Sequence, residues 1–229
     1  MHIHPFIRTL LIAPITLFVL ASCNESTTPT GISTSLGDYM FNGSVGTEYV
    51  MSMTSFNIRI SSSGKDTTGR QSAQNIYRIM QRNVPAPGGG SNAIAVEYLN
   101  TNEIGIRMRD TLFFYIENNQ IKRLNVSLPS GLNTEGLLAA PLAVGTSYYP
   151  IPNDNLTKRN ITGFDVSYTV PAGTYRTIRS EQQSLPTNNS NVLHFATGVG
   201  LISTEIRTSM ILNGTELHGV YSEVLQQIR

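Results

Sequence analysis

The chain has 229 residues, with 16 Lys and Arg against 15 Asp and Glu. That balance lacks the basic excess needed to neutralise nucleic-acid phosphates, so no nucleic-acid partner is expected. Charged residues make up only 14% of the chain, against about 25% in ordinary domains, and polarity comes instead from Ser, Thr and Asn.

The first residues read as a targeting segment. His2 to Arg8 form a short positive stretch and Thr9 to Leu20 an apolar one. The apolar run has signal-peptide length and is interrupted by Pro14, which argues against a retained membrane span. It ends in Leu20-Ala21-Ser22-Cys23, and Cys23 is the only cysteine. These four residues resemble the lipobox of bacterial lipoproteins. The resemblance implies that leader 1–22 is removed, that the Cys23 thiol is lipidated, and that the new amino terminus is acylated. One acyl chain binds membranes marginally, at about 10⁴ M⁻¹, whereas several anchor stably. Asn24, where some lipoproteins carry Asp, resembles an outer-membrane sorting signal. Loss of residues 1–22 removes Arg8 and no acid, leaving the charges equal. The remaining roughly 200 residues are enough to bury roughly 70% of their unfolded surface. With Cys23 modified, no disulfide is available to the fold.

Asn24 to Leu36 is polar and poor in aromatics, which predicts a flexible tether over 23–36. From 37 to 229 the pattern predicts β-structure. A strand run spans Thr47 to Ile60 and closes at Ser61 to Gly64. Gln71 to Gln81 fits a short helix or a strand. Pro85 to Asn92 is a loop by composition. Alternation at Ile94, Val96, Tyr98, then Ile104, Ile106, Met108, then Leu124, Val126, Leu128 predicts a meander from Ala93 to about Pro129. Its turns are expected at Asn100 to Asn102, Arg109-Asp110 and Asn118-Asn119. Leu137 to Ala140 is read as one helical turn before Pro141. Phe164, Val166, Tyr168 and Val170 continue the alternation, and Pro186 to Asn191 reads as a loop. Asn213-Gly214 favours a type I′ hairpin between Thr208–Leu212 and Thr215–Tyr221. The expected fold is mainly β with little helix: an antiparallel curved sheet, a half-barrel or a sandwich. Two short runs, Val45-Gly46-Thr47-Glu48-Tyr49 and Val144-Gly145-Thr146-Ser147-Tyr148, echo one another and suggest two halves divided near 130–136.

Three stretches carry a further likeness: Pro141 to Tyr148, Val170-Pro171-Ala172-Gly173-Thr174-Tyr175, and His194 to Ile202. In order they resemble a loose group of bacterial cell-envelope lipoproteins with a VG-x-x-aromatic, PAGT-[FY], GVGL-[IV] signature. The likeness covers roughly residues 137 to 226 and implies a curved antiparallel sheet and an envelope setting, with no catalytic residues. Pro171 and Gly173 suit a tight turn. Gly198 and Gly200, inside an apolar run, suggest a bulge or sharp bend in a strand.

No G-x-S-x-G elbow, H-E-x-x-H or Cys-x-x-Cys set occurs, and Gly88-Gly89-Gly90 lacks the Lys-Ser/Thr of a phosphate loop. No cofactor is expected. Only His194 and His218 follow the leader; each reads first as a strand histidine held by hydrogen bonds. Paired across strands with Glu205 or Glu216, they would form a two-His-one-acid metal site. Three functions remain. The first is a non-enzymatic, membrane-anchored β-domain that binds an envelope partner or supports an assembly. The second is a carrier of a lipophilic ligand in a curved-sheet cavity, and the third a hydrolase of envelope polymers.

Overall fold

The computed structural model describes residues 33–62, 64–87, 89–102, 105–129, 134–152, 154, 156–184, 189–212 and 214–229. Cys23 and its leader, and Asn213, lie outside the described residues. One 12-stranded antiparallel sheet, nearly closed into a barrel, forms the body. Its strands are β1 (Glu48–Ser61), β2 (Gly64–Val84), β3 (Ala93–Asn102), β4 (Gly105–Glu117), β5 (Gln120–Asn125), β6 (Thr134–Ala139), β7 (Ser147–Tyr148), β8 (Thr157–Val170), β9 (Gly173–Ser184), β10 (Asn189–Ala196), β11 (Gly200–Leu212) and β12 (Thr215–Ile228). The expected alternation is realised as a curved single sheet, with no second sheet among the described residues to make a sandwich.

Strands run in order from β6 through β1 to β12 and back to β7. The first and last strands therefore pair along most of their length, from Tyr49↔Ile228 to Ile60↔Glu216. Glu48 locks this junction: its backbone exchanges hydrogen bonds with Arg229 at 2.8 and 3.0 Å, and its carboxylate accepts from Arg78 and from Arg229 Nε. Those guanidiniums hold the Glu48 carboxyl below its usual range.

The opposite edges, β6 and β7, meet differently. Gly136 N donates to Pro150 O at 2.6 Å, Tyr148 OH donates to Leu137 O at 2.7 Å, and Arg159 of β8 reaches Glu135 of β6. Side chains do most of the sealing at this seam. The two echoed runs build the same device at the starts of β1 and β7. Gly46 and Gly145 both have φ of 93°, and each N–H donates to a buried isoleucine carbonyl, Ile79 at 2.8 Å or Ile161 at 2.9 Å. The tyrosines that close the motif, Tyr49 and Tyr148, are both buried. A positive φ is open to glycine without steric cost, which explains its place in both copies.

The apolar core fills one end of the barrel, its base, and the end opposite is its mouth. Residues 33–43 cross the base, where Leu36–Tyr39 form a single 3-10 turn. Phe41 packs on Tyr49, Tyr77 and Phe114 with ring centroids 4.6, 5.7 and 5.0 Å apart, contacts that contribute about 0.5–1.5 kcal/mol each beyond area burial. Leu36 belongs to the core, so the predicted tether ends before it. The β10–β11 turn holds the strap: Gly198 N donates to Asp38 O at 2.7 Å, and a Cβ on Gly200 would lie 3.0 Å from Phe41 N.

Several local expectations change. Gln71–Gln81 is strand, within β2. Leu138 and Ala139 pair with β5 rather than coil, with Leu137 at a bulge beside them, because Ile121↔Leu138 fills the core and Pro141 disfavours helix in the residue before it. Arg109-Asp110 lies within β4, since Asp110 Oδ1 is satisfied by Thr111 N and Ser127 Oγ without a chain reversal. Asn100–Asn102 continue β3, and Asn189–Asn191 begin β10. Gly198 and Gly200, with φ of 74° and 101°, form and leave the β10–β11 hairpin turn rather than bend a strand. The turns at Asn118-Asn119, both at positive φ, and at Pro171 to Gly173 lie where expected. Gly214, with φ of 76°, lies between Leu212 and Thr215, which pair with one another.

Candidate functional site

Inner faces of the strands change character from base to mouth. At the base they carry the apolar core, including Ile79, Val96, Ile121, Ile161, Ile178 and Leu225. Two residues along the same faces, toward the mouth, polar side chains replace them: Arg123 beyond Ile121, Arg159 beyond Ile161, and Glu223 beyond Leu225. Period-two geometry places each pair on one side of its strand. Arg123 and Glu223 line a cavity of about 350 Å³, together with Tyr77, Tyr98, Glu135 and Tyr221 among others.

Glu223 is 3% exposed. Its carboxylate accepts from Asn75 Nδ2 at 3.0 Å and Tyr221 OH at 3.1 Å. Burial pushes its pKa up, opposed by hydrogen bonds from Asn75, Tyr77 and Tyr221 and by the Arg123 charge. Asn75 is itself anchored, its Oδ1 accepting from Asn100 Nδ2 at 2.6 Å. Burial likewise pushes the phenols of Tyr77 and Tyr221 upward, and that of Tyr98 to about 12, each reinforced by the negative charge of Glu223.

Across the cavity, Glu135 accepts from two guanidiniums: Arg123 Nη2 at 2.6 Å and Arg159 Nη2 at 3.0 Å. Arg159 is fully buried and also donates to Gln182 Oε1 at 2.9 Å. Its Nε and Nη1 have no hydrogen-bond partner among the described residues, and neither does Asn191 Oδ1. Arg159, Gln182 and Asn191 occupy one row across β8, β9 and β10. Burial pushes the Arg159 pKa down despite Glu135.

The histidines lie elsewhere. His194 is buried on β10, stacked on Tyr168 with centroids 3.8 Å apart, its Nδ1 3.3 Å from Thr177 Oγ1. Burial, helped by the Arg179 charge, lowers its pKa to about 4. His218 is half-exposed on β12 and pairs with Glu216 at 3.1 Å, the shared face expected of them. Glu205 pairs with Arg207. His194 lies opposite Ser203 and His218 opposite Ser209 along β11, roughly 20 Å apart at about 3.3 Å per residue. The two-histidine site is therefore not assembled, and no group of three or more His, Cys, Asp or Glu side chains among the described residues is arranged to hold a metal. Pro171, Gly173, Gly198, Gly200 and Gly214 serve turns.

Sequence reading missed the interior ionic row. The available signal was parity: a charge two residues from a core aliphatic, as in Ile121/Arg123, Ile161/Arg159 and Leu225/Glu223.

No family model and no curated protein matches the chain. Among solved structures it is similar to a Bacteroides fragilis protein with a YmcC-like fold, provisionally described as exported, at 15% identity and TM-score 0.49, over 84% of this chain and 99% of that one. It is also similar to a Parabacteroides distasonis protein provisionally described as a lipoprotein, at 16% identity and TM-score 0.44, over 84% and 99%. The ywiB protein of Bacillus subtilis follows at 8% identity and TM-score 0.21, over 78% and 92%. A likeness of this order transfers no function to the chain.

Proposed function

We propose that the chain is an envelope lipoprotein, held through lipid on Cys23 at the outer membrane, whose barrel binds a small guest at its open end without transforming it. The observation that carries the binding role is the cavity: about 350 Å³, apolar toward the base, with a few convergent polar groups on its wall. Ligand sites combine the same features. The leader and the Leu20–Cys23 run support the address. A non-catalytic role fits Glu135, since a guanidinium occupies each of its carboxylate oxygens.

Globomycin, or Cys23→Ser, is expected to strand precursor or release the protein from the membrane fraction. Native mass spectrometry of the released chain, purified without detergent, is expected to find a bound small molecule. Unchanged fractionation sinks the address, and an empty barrel in every preparation sinks the binding role. A second reading, hydrolysis of an envelope polymer, draws on Glu223, a buried acid with a raised pKa of the kind that donates protons in glycoside cleavage. Glu223→Gln separates the two: it abolishes turnover if hydrolysis is the function and spares guest binding if it is not.

A further inference from the structure

The cavity wall has a chemical direction. Arg123 lines it with a half-buried side chain, and among the described contacts only its Nη2 is engaged, by Glu135. The same carboxylate takes Nη2 of Arg159, whose Nε and Nη1 are unpartnered. Two guanidiniums thus share one acid. The other wall acid, Glu223, is occupied by Asn75 and Tyr221, and Asp110 of β4 by Thr111 N and Ser127 Oγ. N–H donors are left over, in the rigid fork that matches a carboxylate or phosphate.

Above the ionic row apolar side chains return to the lining, beside Asn125. Met108, Leu128 and Ile206 border the cavity toward the mouth. Met210 continues the inner face of β11 onto the rim, where it is 62% exposed. The cavity lies at the small end of the range of ligand pockets, about 300–1,000 Å³. A long chain whose head reached the ionic row would fill it and emerge along this apolar path.

Resting on the binding role proposed above, we infer that the guest is a single-chain amphiphile with an acidic head, a carboxylate or a phosphate monoester, that enters head first. Its acid pairs with Arg123 beside Glu135, and its tail passes Met108, Leu128 and Ile206 to the rim.

The test uses the Cys23→Ser chain, released without detergent and stripped of lipid, titrated calorimetrically below micelle concentrations with dodecanoate, dodecyl phosphate, dodecanol and dodecyltrimethylammonium. At least one acid is expected to bind ten-fold or more tightly than the alcohol, the scale of a charged hydrogen bond. The better of the two acids identifies the head. Arg123→Met is expected to bring acid affinity down to that of the alcohol and leave the alcohol within two-fold. Should that variant misfold, Arg159→Met serves: it gives Glu135 wholly to Arg123 and is expected to lower acid affinity several-fold. Equal binding of acid and alcohol, or preference for the cation, overturns the acidic head while a binding barrel stands. Binding of none of the four also overturns it, and the binding role is then decided separately by the mass measurement above.

Discussion

His194 makes the stability of this barrel depend on pH in a way that one substitution can isolate. The imidazole is 7% exposed, stacked on Tyr168 and close to Thr177, so protonation places a cation where water cannot reach it. Its pKa falls from 6.5 to about 4, through burial first and the Arg179 charge second, with Glu205 opposing. The unfolded chain therefore takes up the proton before the folded one does. The stabilisation is complete above the unfolded value and is lost as pH falls through the folded value. At 1.36 kcal/mol per pKa unit, the loss relative to neutral pH reaches about 2 kcal/mol at pH 5 and about 3 kcal/mol at pH 4. His194→Gln keeps a hydrogen-bonding side chain and removes the titration. Urea unfolding of both proteins between pH 4 and pH 8 is expected to show the gap between their stabilities changing by about 2 kcal/mol from pH 7 to pH 5. Taking the difference cancels groups that titrate alike in both proteins, such as Glu223 two strands away, whose shift acts in the opposite direction. Curves that stay parallel within about 0.5 kcal/mol would refute the claim that this imidazole is buried uncharged.

Gly200→Ala combines a φ of 101° with a Cβ 3.0 Å from the Phe41 backbone, and is expected to cost about 2–5 kcal/mol in chemical denaturation. Gly145→Ala, with φ of 93° and open space around it, is expected to cost only about 1–2 kcal/mol. Glu135→Gln strands the buried Arg159 and is expected to cost about 2–4 kcal/mol, whereas Arg159→Met is expected to change stability by about 1 kcal/mol or less, both read from urea midpoints. Glu223 has a raised folded pKa, so its contribution is fully present below the unfolded value of 4.5 and is lost as pH rises through the folded one. Glu223→Gln is accordingly expected to raise the urea midpoint at pH 8 relative to wild type and to change it little at pH 4.

Much of the sheet was legible because its causes are local. Alternation at Ile94 to Leu99 needs only neighbouring residues to declare a face, and Asn118-Asn119 accept the positive φ that a tight reversal demands. Closure was not legible, because the pairing of Tyr49 with Ile228 joins the first strand to the last and no short window contains it. Asp110 resembled a turn residue for a real reason: its carboxylate binds a neighbouring backbone N–H, yet here it does so inside a strand. Leu137 and Leu138 carried no period long enough to separate coil from strand, and Ile121 across the ladder decided the matter. The interior site was hidden because a charge in a strand ordinarily marks the solvent face. Arg123, Arg159 and Glu223 point the other way, and only their parity with core aliphatics distinguishes them.

The strap across the base fixes which way a tethered molecule looks. Ser33 N meets Thr197 Oγ1 in the β10–β11 turn, so the chain leaves the body at the end away from the opening. Residues 24–32 reach about 30 Å when fully stretched. The 14 residues of β12 run about 45 Å from base to lip, and about 35 Å of height at a common barrel tilt. Under the lipid anchor on Cys23 proposed above, such a leash would be shorter than the vessel is tall, and the barrel would hang from its bottom with its lip turned away from the lipid. Cargo would then be exchanged with the aqueous compartment or with a facing structure, and not with the leaflet of attachment.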